Sequence, residues 1–126
     1  MSLVVRSFAD KGNLEKERIV LRAMEEVEIG HYTLLRSDST TEGAAISGSK
    51  DAYWFPNKKV KKDDLVILYT KKGTPSTKSL ASGATAHFYY WRHASAFWGE
   101  DKKNVAVLLF APTWKTSNPA PTKSEG

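Results

Sequence analysis

The chain has 126 residues, room for one domain and little more. Hydrophobic residues make up 40% and charged residues 26%, close to the soluble globular average, which excludes global disorder. No apolar run approaches the roughly 18 residues of a membrane helix. The absence of cysteine excludes disulfides, thiolate catalysis and any zinc site built on Cys.

The Met-Ser-Leu start and the Glu-Gly finish resemble expression-vector remnants and are set aside. Leu3 to Phe8 is a short apolar run, and Asp10-Lys11-Gly12-Asn13 predicts a turn. Residues 13–29 contain no Gly or Pro, and Val20, Ala23, Met24 and Val27 fall at helical spacing behind Asn13 as a candidate N-cap. Arg18 to Ala23 also alternates, with Ile19, Leu21 and Ala23 on one face; periodicity slightly favours the helix and leaves the strand open. His31 to Arg36 is rich in strand formers and gives way to a polar loop over Ser37 to Asp51. Tyr53-Trp54-Phe55 stops at Pro56. Leu65 to Thr70 (LVILYT) is continuously apolar, the mark of a strand buried on both faces. Gly73 to Ala86 is rich in Ser, Thr, Gly and Ala and reads as a loop; His87 to Arg92 is aromatic; Val105 to Ala111 is a second buried strand closed by Pro112. From Lys115 the sequence KTSNPAPTKSEG predicts a frayed tail, so the domain spans 1–114 and the tail 115–126. Short strands separated by turn signals indicate an all-β antiparallel sandwich or barrel. Ile19, Leu21, Leu34, Val66, Leu68, Val107 and Leu109 are the expected core.

Charge is concentrated in one segment. Between Lys58 and Lys78 seven lysines (58, 59, 61, 62, 71, 72 and 78) stand against Asp63 and Asp64, a net of +5 that equals the charge of the whole chain. Such a cluster attracts polyanions with strong salt dependence. Lysines also guard exposed strand edges against aggregation. Fourteen of the nineteen basic residues are Lys, whereas readers of phosphate and bases lean on Arg, which weighs toward the solvated edge.

The most informative stretch is His87 to Leu109 (HFYYWRHASAFWGEDKKNVAVLL): an aromatic strand, a Phe-Trp pair, an acidic turn and an apolar strand in series. It resembles the lamin tail domain family, whose members carry a tryptophan before a polar turn and a final apolar strand; here Trp98-Gly99-Glu100-Asp101 leads into Val105 to Leu109. Earlier segments agree in order: Glu17 to Leu21 (ERIVL), Glu28 to Leu35 (EIGHYTLL) with Gly30 and Tyr32, and Trp54-Phe55-Pro56 followed by LVILYT. Lys102-Lys103 depart from the family's Gly-Asp turn, and the aromatic run is heavier than is typical. The resemblance spans about Leu3 to Ala111 and implies an immunoglobulin-like β-sandwich. It tips Arg18 to Ala23 toward strand, and it implies an interaction or scaffold role, since such domains contact chromatin and partner proteins in animals and accompany secreted enzymes in bacteria.

No Gly-x-Ser-x-Gly elbow, phosphate-binding Gly-rich loop or dinucleotide fingerprint occurs, and no cofactor is expected. His87 and His93 share strand parity about 20 Å apart, too far for one metal ion. Asp63-Asp64 and Glu100-Asp101 lie in turn sequences, where carboxylates fix backbone. The expected function is therefore non-catalytic. Alternation places His87, Tyr89, Trp91 and His93 on one face of the aromatic strand and Phe88, Tyr90 and Arg92 on the other. The cost of burying a guanidinium turns the second set outward. The candidate binding residues are Lys58, Lys59, Lys61, Lys62, Lys71, Lys72, Phe88, Tyr90 and Arg92, facing a protein partner or, weakly, a polyanion. The alternative is a nucleic-acid-binding module that combines the lysines with stacking rings. No charged-then-apolar leader opens the sequence, which gives a cytoplasmic expectation by default and a secreted one if a leader was trimmed.

Overall fold

Short strands and the loops between them build residues 1–120, which the computed structural model describes. Among these residues ten strands form: β1 (Leu3–Ala9), β2 (Arg18–Ala23), β3 (Val27–Glu28), β4 (Tyr32–Asp38), β5 (Asp51–Trp54), β6 (Lys59–Val60), β7 (Leu65–Tyr69), β8 (Ser76–Ser79), β9 (Thr85–Tyr90) and β10 (Asn104–Phe110). A five-stranded sheet in the order β1-β2-β7-β9-β8 packs on a three-stranded sheet, β10-β4-β5, as a β-sandwich; β3 and β6 pair separately. No helix among the described residues is long and apolar enough to cross a membrane.

Residues 18–23 form a strand, not a helix, with Ile19, Leu21 and Ala23 buried. The helical signal upstream is real but brief. Lys16 and Glu17 donate N–H groups to the Asn13 carbonyl at 3.0 and 2.6 Å, closing a single turn, and the chain then enters β2. Tertiary pairing with β7 outweighs the weak local preference.

Ile19, Leu21, Leu34, Val66 and Leu68 are buried as expected. Val107 and Leu109 are not core: Val107 is half-buried and Leu109 is 42% exposed. The register with β4 sets Leu108 opposite Leu34, so Ala106 and Leu108 face inward. A run that is apolar on both faces carries no alternation to choose its inner one. β10 is moreover an edge strand, not a central one.

Every strand pair is antiparallel except β7 with β9. The segment expected to be a loop over 73–86 instead holds β8. A hairpin turned at Gly83 (φ 90°) returns β8 into β9, and the link from β7 passes over to the sheet margin, so β9 docks beside β7 running the same way. Residues 115–120 are exposed and carry no strand. The rest of the sequence-predicted tail, with its Glu-Gly finish, lies outside the described residues.

Candidate functional site

The basic segment is divided by the fold. Lys58 and Lys59 lie at β6, and Lys61 and Lys62 lie in the turn that enters β7. Lys71 and Lys72 follow β7 at its opposite end, roughly 17 Å of strand away. Lys78 stands on β8 opposite Ala86, level with the start of β7. The structure therefore separates what the sequence groups together.

Asp64 holds the Lys61–Asp64 turn. Its carboxylate accepts hydrogen bonds from the backbone N–H of Thr85 at 3.0 Å and of Lys61 at 3.1 Å, and contacts His87 Nε2 at 2.9 Å. A carboxylate only accepts, so Nε2 carries the proton. Burial alone would raise the Asp64 pKa; the bonds from His87, Thr85 and Lys61 outweigh it and hold the carboxyl below its usual 3.8. The neighbouring Asp63 adopts φ 72°, a left-handed conformation that Asp tolerates, and pairs with Arg22 at 2.6 Å. Above this pair lies a cleft of about 490 Å³ lined by Lys59, Lys61, Lys62, Thr85 and His87. His87 Nδ1 is buried and has no hydrogen-bond partner among the described residues. The Asp64 carboxylate thus ties the Lys61–Asp64 turn to β9 through Thr85 and His87.

From His87 to Trp91 the aromatic segment divides its faces as alternation predicts, but the expected inner face does not reach His93, which is half-exposed beyond the left-handed Arg92. His87, Tyr89 and Trp91 are buried, Phe88 and Tyr90 are half-buried, and Arg92 is exposed. The inner rings meet Tyr53, Phe55 and Phe97: Phe55–Tyr89 at 5.9 Å and Trp91–Phe97 at 5.1 Å between centroids. Burial, then the neighbouring Tyr53 and Glu28, push the Tyr89 phenol pKa above its ordinary value. Strand geometry ends at Tyr90, and Arg92 takes φ 67° as its N–H bonds the Lys71 carbonyl at 3.1 Å.

On the outer face, Tyr90 stacks on Tyr69 at 5.3 Å and 14°, and Phe88 lies 6.4 Å from the same ring. Lys71 Nζ is 5.2 Å and Arg18 Cζ 5.9 Å from the Tyr69 centroid, both within cation–π range. Gly73 lies so close to Tyr90 that a Cβ there would sit 2.3 Å from the ring, so this loop partly covers the tyrosine and needs glycine to do so. Tyr69 is the residue that sequence reasoning misses. Its signal was present in LVILYT, where Leu65, Ile67 and Tyr69 oppose the inward Val66 and Leu68. The fold thus unites Phe88 and Tyr90 with Lys71 through Tyr69, and leaves Lys58, Lys59, Lys61 and Lys62 apart.

At the end of the sandwich near Tyr69 lies Glu17, fully buried. Its carboxylate accepts from the N–H groups of Gly12 (2.8 Å), Phe97 (2.8 Å) and Trp98 (3.0 Å) and from Thr70 Oγ1 (2.6 Å). One side chain from the start of β2 therefore anchors the Phe97-Trp98 pair distant in sequence, and with it the aromatic end of the core. No protein-family model matches this sequence, and no curated protein matches it.

Proposed function

We propose that the chain is a non-catalytic interaction module of the lamin-tail-like, immunoglobulin-like type. Its partner is a protein, bound through an acidic and partly apolar segment across the outer face of the five-stranded sheet. The observation that carries this reading is the half-exposed cluster of Tyr69, Phe88 and Tyr90, with Lys71 and Arg18 against Tyr69 and Arg92 beside it. Rings flanked by cations offer apolar area together with charge that selects acidic partners. The collinear resemblance in sequence supports the same class of role. Nucleic acid fits this face less well. Tyr69 and Tyr90 stack on each other and Gly73 crowds Tyr90, which leaves little ring face for a base. A weak polyanion contact at the Lys59-Lys61-Lys62 cleft is the second reading, favoured by the lysines that line it.

Fluorescence anisotropy with a labelled peptide alternating Glu with Leu and Phe tests the proposal. Saturable binding is expected that weakens with salt. Tyr69→Ser combined with Lys71→Ser should weaken it by about tenfold or more. Equal binding by parent and double variant would overturn the assignment of this face.

A further inference from the structure

We propose that β10 is a self-association edge, and that two copies of this chain pair antiparallel through it about a two-fold axis at Val107. Each free edge of the two larger sheets except β10 carries a feature that discourages pairing. β1 has Arg6 and a register shift between Val5 and Ser7. β8 is four residues long, begins just after Pro75 and carries Lys78. β5 is also four residues long, contains Asp51 and ends just before Pro56. β10 has seven residues, Asn-Val-Ala-Val-Leu-Leu-Phe, with no charge, no proline and no register shift against β4.

Its backbone is arranged for the contact. Ala111 donates its N–H to the His31 carbonyl at 2.7 Å, which fixes the alternation of the β4 ladder. Residues 105, 107 and 109 then bond toward β4, and the N–H and C=O groups of Asn104, Ala106, Leu108 and Phe110 point outward. Trp114 packs on Trp54 with centroids 4.8 Å apart, so the chain beyond β10 crosses toward β5, away from the unpaired side of β10. With Val107 on the axis, Ala106 of one copy meets Leu108 of the other and Asn104 meets Phe110, every outward group finding a partner. The side chains agree: Leu109, 42% exposed, comes opposite Val105 of the second copy, and Phe110, 51% exposed, gains a neighbour.

Charge decides for a second copy. Self-pairing at β1, β8 or β5 risks setting like charges of Arg6, Lys78 or Asp51 against each other, whereas β10 brings none together. Lys102 and Lys103 of one copy come level with the uncharged Ala111-Pro112-Thr113 of the other. An isologous contact also closes, giving a dimer and not a fibre. Strand pairing with two exposed side chains falls below the roughly 800 Å² per partner of a standard interface, so association is weak and concentration-dependent.

Sedimentation equilibrium between about 10 µM and 1 mM tests this, with Val107 as the probe because its side chain meets its own copy across the axis. The parent is expected to shift from monomer toward dimer mass across that range. Val107→Lys and Val107→Glu should each remain monomeric, and an equimolar mixture of the two should regain dimer mass. Circular dichroism melts confirm that both variants fold; if either fails, Leu109→Lys, at a more exposed position, replaces it as a variant expected to be monomeric. A parent that stays monomeric at the highest concentration overturns the proposal. So does a dimer that survives both substitutions, or a mixture of folded variants that stays monomeric.

Discussion

Two buried carboxylates hold parts of the chain that are distant in sequence. Glu17 satisfies two consecutive N–H groups at Phe97 and Trp98 as well as Gly12 and Thr70, so truncation would leave the Phe97, Trp98 and Thr70 donors buried and unpaired. Glu17→Ala is expected to cost about 3–5 kcal/mol in a urea melt. Glu17→Gln, which keeps an acceptor oxygen, should cost less. Asp64 carries a pH signature. Its folded pKa lies below its usual value, so its contribution to stability is complete above the unfolded pKa and is lost as pH falls through the folded one. The parent should lose urea resistance as pH falls below the ordinary carboxylate range, and Asp64→Asn should show a shallower fall together with lower stability at pH 7. Parallel pH profiles for the two proteins would remove Asp64 from this role. The turn-fixing role of Asp64 was legible from its turn sequence, but its His87 and Thr85 partners were not, and Glu17 reads only as an acidic residue before an apolar strand, with its Phe97 and Trp98 donors some 80 residues away.

Strand polarity explains which elements could be read. β2 alternates cleanly and β9 does so from His87 to Tyr90, so their faces follow from sequence, and Trp91, just past β9, keeps the inward parity at 8% exposed. Trp91→Ala is expected to cost roughly 3–5 kcal/mol, and Tyr90→Ala distinctly less; the reverse order in denaturant melts would invert the faces. β10 is apolar on both sides and misleads, since no alternation marks Ala106 and Leu108 as its inward residues. β8, Ser-Thr-Lys-Ser, carries no apolar period and is set by its hairpin with β9. The lysine run looks like one patch because residues near in sequence need not be near in space once β7 intervenes. Replacing Lys58, Lys59, Lys61 and Lys62 by Ser should abolish whatever retention on heparin the chain shows near the cleft. Elution at the parent's salt concentration would mean that those lysines only guard an edge.

At the scale of the whole molecule, an all-β sandwich follows from short strands separated by turns, and both sheets meet on the core that the alternating strands predict. The parallel β7–β9 pair was not legible, because it arises from where a whole hairpin docks and not from any residue within it. The candidate surface was half legible. Phe88 and Tyr90 follow from parity, Arg92 is exposed beyond the strand end, and Tyr69 and Arg18 join them only through strand neighbours brought together by the sheet. The contact face is tested most directly by following backbone amide shifts of the labelled chain as the acidic, Leu- and Phe-containing peptide is added. Shifts concentrated at Arg18, Tyr69, Lys71, Phe88 and Tyr90, with the β4 and β5 amides unmoved, are expected. Saturating shifts confined to the opposite sheet or to the Lys61–Asp64 turn, with these residues silent, would contradict the proposal.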